Sequence, residues 1–139
     1  MTTREMTAAE HIATALTLLE QSDSEFAAGD IIQGSEKLWG AASHSTIAAA
    51  KLRGWPTDSH RNVVDAARRL SEEPGEEALL AQFRVARIFH QRFYGHGFFD
   101  PFAEIDPMTE DRQIVADYVR RVVDIAGESS RSPARPVII

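Results

Sequence analysis

Apolar residues recur with a helical period in five segments of this chain, and no stretch sustains the alternation of a strand. The first segment runs from about Thr7 to Ala28, with Ile12, Leu16, Leu19 and Phe26 on one stripe and Gly29 as its stop. Asp30 can cap the second, which ends at Gly54 and carries the most regular stripe: Ile31, Ser35, Leu38, Ala42, Ser45, Ala49 and Leu52. Gly34, Gly40, Ala41, Ala48 and Ala50 make this helix slim. Each interior glycine costs roughly 1 kcal/mol against alanine. That cost points to close helix–helix approach and makes the second segment the central helix.

Pro56 disfavours helix at Trp55, so residues 55–59 form a loop, and Asp58 or Ser59 caps a third helix through Val63, Val64, Ala67 and Leu70. Glu73-Pro74-Gly75 breaks it. A fourth helix is expected from about Glu76 to Tyr94, with Glu76 and Glu77 at the positive end of its dipole. Its stripe is Leu79, Phe83, Ala86, His90 and Phe93, and Gly95-His96-Gly97 ends it. Phe98 to Pro107 reads as a loop with four large apolar residues, which must pack on the bundle or on a partner. Thr109 then caps a fifth helix to about Ala126, with Ile114, Tyr118, Val122 and Ile125 facing inward. The expected architecture is an all-α antiparallel bundle of about five helices, one domain over residues 1–126 with a flexible tail at 127–139.

Composition narrows the function classes. With 139 residues, 43% apolar and 26% charged, the chain has the make-up of one globular domain. It holds no cysteine, which excludes disulfides and thiolate metal sites. No apolar run approaches the ~20 residues that cross a bilayer. Glu5 and Glu10 interrupt the N-terminal apolar stretch, so a signal peptide is not expected and the cytoplasm is the expected location. A net charge of −6 argues against general duplex DNA binding. Arg84, Arg87 and Arg92 form the one local basic cluster, with Arg61, Arg68 and Arg69 beside it.

His90 stands out because it lies on an apolar stripe, where an unpaired titrating group is costly to bury. It either bonds a carbonyl, Ser35, Ser45 or Glu36 as a neutral core histidine, or it is a general base or ligand contact. Arg87 lies three residues earlier and can share its face, whereas Arg84, six residues earlier, lies on another side. A histidine that moves the proton of a 2′-hydroxyl and an arginine that holds phosphate charge suit ribonuclease chemistry. The plainer expectation pairs both arginines with surface acids of neighbouring helices. His44 shares a polar stripe with Lys37 and Lys51 and is expected on a solvated face, His60 at a loop mouth, and His96 against the last carbonyls of the fourth helix. Neither Glu-x-x-His nor His-Glu-x-x-His occurs, so no cofactor or metal is expected, and a metal site from Glu36, His60 and His90 is the weakest reading. No Gly-rich phosphate loop or Gly-x-Ser-x-Gly elbow is present.

Three blocks resemble the HEPN superfamily of small helical bundles and, within it, the archaeal PaREP-type branch. They are GDIIQGSEKLWGAASHSTIAAAKLRGW, Asp58-Ser59-His60 and FRVARIFHQRFY, whose Phe89-His90-x-x-Phe93-Tyr94 is similar to the branch's Leu-His-x-x-Phe-Tyr motif. The resemblance covers roughly residues 8–125. It implies an antiparallel bundle, often dimeric, linked to nucleotide or RNA transactions and to toxin–antitoxin or defence systems. Active relatives carry Arg-x(4–6)-His with a polar residue after the arginine. Arg84 and His90 satisfy the spacing, but Val85 stands where Asn, Asp or His belongs, and Arg61-Asn62 has no histidine at the right distance.

The sequence therefore favours a non-catalytic homodimeric module that binds a protein partner, a nucleotide or RNA, with Glu36, Trp39, His60 and Tyr94 as candidate binding residues. Phe98 to Ile105 and Val137-Ile138-Ile139 are the candidate contact surfaces. A metal-independent endoribonuclease using Arg84 or Arg87 with His90 is the alternative. A small-molecule pocket lined by Trp39, Trp55, Phe89 and Tyr94 is the third reading.

Overall fold

The computed structural model describes residues 5–91 and 105–131, with side chains at 5–91 and 109–129. Among them are α1 (Ala8–Ala27), α2 (Ile31–Leu52), α3 (His60–Ser71), α4 (Leu79–His90) and α5 (Ile105–Arg131), and no strand. The chain is thus the all-α helical bundle its periodicity predicts. No helix among the described residues is long and apolar enough to cross a membrane.

Local chemistry sets most of the helix ends. Thr7 and Glu10 form a reciprocal capping box at the start of α1. The Asp30 carboxylate accepts from the Gln33 amide at 3.0 Å, and the Ser59 hydroxyl accepts from the Asn62 amide at 3.1 Å. Gly29 and Gly54 follow α1 and α2 at φ +84° and +73°, a left-handed turn that side-chain-bearing residues resist.

Cross-helix contacts fix the directions. Phe26, near the end of α1, meets Gly34 near the start of α2, while His11 near the start of α1 meets His44 far along α2. These two helices therefore run antiparallel. α4 descends beside them, with Glu76 just before it bonded to Arg121 of α5, and Phe89 near its end against Phe26 at 6.3 Å. α5 rises again, its Arg112 beside Asp23 and its Ser129 beside Arg53. α3 is a short strut on α2 and α4. Arg53, just after α2, clasps Glu73, just after α3, through two 2.7 Å hydrogen bonds.

The core is built from many small residues and a few large ones. Ala15, Ala41, Ala42, Ala48, Ala49, Ala67, Ala86 and Ala126 are sealed around Leu38, Leu70, Phe83 and Tyr118. α2 supplies half of these alanines, more than any other helix, and is the central helix, as its composition predicts.

Four expectations need correction. The inward stripe of α1 is His11, Ala15, Leu19 and Ser22, while Leu16 is 41% exposed, because the small residues turn toward the slim α2 and the bulkier neighbour is left outside. Leu52, the last member of the α2 stripe, is likewise 38% exposed. Helix α4 begins at Leu79 rather than Glu76, since the buried Glu76 carboxylate is held by Arg121 Nε at 2.7 and 2.9 Å. Helix α5 starts at Ile105, ahead of Thr109, and runs on to Arg131, past the expected end at Ala126. Ser129 bonds back to the Ile125 carbonyl at 3.0 Å and accepts from Arg53, which ties this last stretch to the bundle. The expected continuation of α4 to Tyr94, the loop from Phe98 through residue 104 and the tail beyond residue 131 lie outside the described residues.

Candidate functional site

Trp39 sits at mid-length on α2, on the side facing α3 and α4. Three rings converge on its indole: Phe83 at 5.6 Å from the core side, His60 at 5.7 Å and His90 at 5.1 Å. His90 is the stacked one, with only 23° between the ring planes. Flat overlap of two π-systems at this distance is a favourable arrangement and fixes the imidazole's orientation.

A cleft of about 380 Å³ opens beside this stack, bounded by Leu18 of α1, by Gln33, Glu36, Lys37, Trp39 and Gly40 of α2, and by His90. The α2 contributors recur at helical spacing, so one face of that helix forms the floor. Gly40 opens the wall toward α1, where a Cβ would come within 3.0 Å of Leu18 Cδ1. The volume lies within the ~300–1,000 Å³ range of small-molecule sites. Lys37 reaches Glu25 at 3.8 Å, which leaves its ammonium at the rim with a loose partner.

Burial lowers the His90 pKa, the field of His60 lowers it further, and the Glu36 carboxylate opposes both. The ring is therefore neutral near pH 7. A neutral imidazole stacked on an indole, a carboxylate, an amide and a rim ammonium can grip a flat polar heterocycle that carries an anionic group.

Four of the residues singled out by sequence, Glu36, Trp39, His60 and His90, are brought together here. Tyr94, Arg92 and His96 lie outside the described residues. Of the two core hydroxyls expected to serve His90, Ser45 instead donates to the Ala42 carbonyl at 2.9 Å, and Ser35 has no hydrogen-bond partner among the described residues. His90 packs on Trp39 rather than on a serine. Arg84 is exposed and Arg87 half-buried, and neither forms an ion pair among the described residues.

The proposed aromatic lining does not assemble as one pocket. Trp39 lines the cleft, Phe89 is buried against Phe26, and Trp55 lies elsewhere, between the guanidinium groups of Arg53 and Arg69 at 5.7 and 5.3 Å. Among the described residues no three or more histidine or carboxylate groups are placed to hold a metal ion, Glu36, His60 and His90 included.

A second cluster was not anticipated. His44, expected on a solvated face, is half-buried, and its Nδ1 lies 2.8 Å from Nδ1 of His11 across the α1–α2 seam. The signal for His11 was its place four residues before Ala15, on the small-residue stripe of α1 that the bulky Leu16 obscures.

No curated protein and no solved structure matches the chain significantly. The family model for the archaeal PaREP1/PaREP8 family matches residues 10–119, which spans α1 through about the first half of α5. By that match over most of its length, the chain belongs to the archaeal PaREP1/PaREP8 family.

Proposed function

We propose that this protein is a non-catalytic binding module whose cleft takes the base of a nucleotide or of single-stranded RNA. One observation carries the reading: the His90–Trp39 stack stands at the edge of a 380 Å³ cleft with Glu36, Gln33 and Lys37 around it. A base has a flat face for the rings, edge donors for a carboxylate or amide and a phosphate for an ammonium. Stacking on an aromatic side chain is worth roughly 1–3 kcal/mol per base and tolerates any base. The resemblance to HEPN-type bundles supports the same reading, and a cytoplasmic homodimer belongs to it.

The test is fluorescence titration with the four ribonucleoside monophosphates and a short single-stranded RNA. Replacing Trp55 by Phe leaves Trp39 as the reporting indole, since the chain has two tryptophans. Saturable quenching is expected, and Trp39→Ala, followed by filter binding of labelled RNA, should weaken affinity about fivefold or more, as loss of ~1–3 kcal/mol of stacking requires. No quenching by any of the probes at millimolar concentration would sink the reading.

A ribonuclease built on Arg84 or Arg87 with His90 is favoured by one observation, that neither arginine is committed to an ion pair among the described residues. It requires cleavage of single-stranded RNA in EDTA that His90→Ala abolishes while the fold persists. Binding without such cleavage upholds the non-catalytic reading.

A further inference from the structure

We propose that His11 and His44 form a two-histidine chelate for a divalent transition-metal ion, of the copper(II) or nickel(II) class, between α1 and α2. The site is separate from the Trp39 cleft and does not depend on it. Its two imidazoles come from positions 33 residues apart, and each is carried on a helix rather than a loop. Their Nδ1 atoms face one another at 2.8 Å, with ring centroids 5.1 Å apart.

The spacing selects the metal class. Metal–imidazole bonds of about 2.0–2.1 Å at a right angle place two cis nitrogens about 2.8–3.0 Å apart, whereas a tetrahedral angle needs about 3.3–3.4 Å. The observed separation therefore matches square-planar or octahedral coordination, and tetrahedral zinc would require the two rings to move apart by about 0.5 Å. Imidazole is a ligand that both copper(II) and nickel(II) favour. Two protein nitrogens leave the remaining positions to water, and the half-buried His44 side supplies the access.

Protonation also suits a metal. Burial, then His44, then Lys51 lower the His11 pKa against the opposing Glu10, and burial lowers that of His44. Both rings are neutral at pH 7, so a metal does not have to displace a proton from an imidazolium. The ring that donates in the present hydrogen bond must carry its proton on Nε2 instead, and both rings must turn so that their Nδ1 lone pairs converge on the metal rather than on each other, with no net proton release. The surrounding charges leave the pair clear. Lys51 is drawn to Glu5 at 3.4 Å, and Glu10 is engaged with the Thr7 amide at 2.8 Å in the capping box. That box fixes the first turn of α1, where His11 sits, as a rigid support.

The experiment is titration of the untagged full chain with copper(II) or nickel(II) chloride by calorimetry, with the copper spectrum recorded by electron paramagnetic resonance. One equivalent is expected, with hyperfine structure from two imidazole nitrogens and a heat that does not change with the ionisation enthalpy of the buffer. His11→Gln and His44→Ala should each weaken binding at least tenfold, and His60→Ala should leave it unchanged. His44 is half-buried, so its variant decides the matter if the buried His11 variant does not fold. Absence of binding at millimolar metal overturns the proposal, as does a His44→Ala protein that binds as tightly as the parent.

Discussion

Gly34→Ala should destabilise the protein, although the same change in an exposed helix interior stabilises it. Removing a helix glycine gains about 1 kcal/mol of propensity. Here a Cβ at position 34 would lie 2.8 Å from Phe26 Cδ2 and 2.9 Å from both Cε2 and Cγ, closer than non-bonded carbons can approach. The ring cannot swing away freely. Phe89 meets it edge-on at 6.3 Å, and the Arg112 guanidinium lies 4.1 Å from its centroid. The overlap reaches Cγ as well as the ring edge, so rotation about the ring axis does not relieve it and α1 must shift. Overpacking of this kind costs typically ~1–3 kcal/mol. The net change is a loss of about 1 kcal/mol, or roughly 3–5 °C in Tm for a domain of this size. Urea unfolding followed by circular dichroism at 222 nm gives the midpoint and slope needed. Adding Phe26→Leu should recover much of the loss, since a smaller side chain vacates the space. A Gly34→Ala protein as stable as the parent, or more so, would refute the claim that this glycine sets the α1–α2 distance.

Gly40→Ala is the companion case. Among the described residues its Cβ would meet only Leu18 Cδ1, at 3.0 Å, and the end of a leucine can rotate aside, so the variant should be neutral or gain up to ~1 kcal/mol of stability in the same urea assay. In the core, Thr46 Oγ1 donates to the Ala42 carbonyl at 2.7 Å and must therefore accept from the Tyr118 hydroxyl at 2.6 Å. Thr46→Val strands a buried phenol and should cost ~1–3 kcal/mol, Tyr118→Phe should cost about 1, and the double variant should cost less than the sum. Burial raises the Tyr118 pKa far above its ordinary value, so this bond persists throughout the alkaline range in which the fold does. For His90 the folded pKa lies below the unfolded 6.5 through burial and His60. The unfolded chain then binds more protons in mild acid, so His90's contribution is complete above pH 6.5 and is lost as pH falls through the folded value. An NMR titration should place its midpoint below 6.5, higher in His60→Ala and lower in Glu36→Gln. A midpoint at or above 6.5 in the parent contradicts the account.

The helices themselves were legible because their signals are local. The cap at Asp30, the one at Ser59 (one of the two residues offered for α3), the stops at Gly29 and Gly54 and the four-three rhythm of α2 each act within a few residues, and each appears where expected. The slimness of α2 also carried a tertiary message, since two interior glycines imply a neighbour close by, and Phe26 and Leu18 are that neighbour. What period could not supply was the rotation of α1 about its axis. Ile12 and Leu16 are the more hydrophobic choice for an inward face, yet close approach rewards Ala15 and Ser22, which fit against α2, and Leu16 is left exposed. Glu76 failed for a related reason. A carboxylate in a first turn suits the helix dipole, but Arg121, 45 residues away, offers two charge-assisted hydrogen bonds and draws it out of the helix.

The histidines show where such reading stops. Glu36 and Trp39 share a face because they are three apart on one helix, so their association was open to inspection. His60 and His90 reach the same indole from two other helices, and only the packing of α3 and α4 on α2 brings them there. His44 is the sharper case. Its spacing from Lys37 and Lys51 puts all three on one polar stripe of α2, which by itself suggests solvent. A stripe states which residues lie together and says nothing of what covers them. Here α1 covers it, on the close α1–α2 approach that Gly34 permits, and His11 reaches across to His44. The small residues that looked like packing devices thus also decide which polar side chains meet, and both the cleft beside Gly40 and the His11–His44 pair lie on the seam they create.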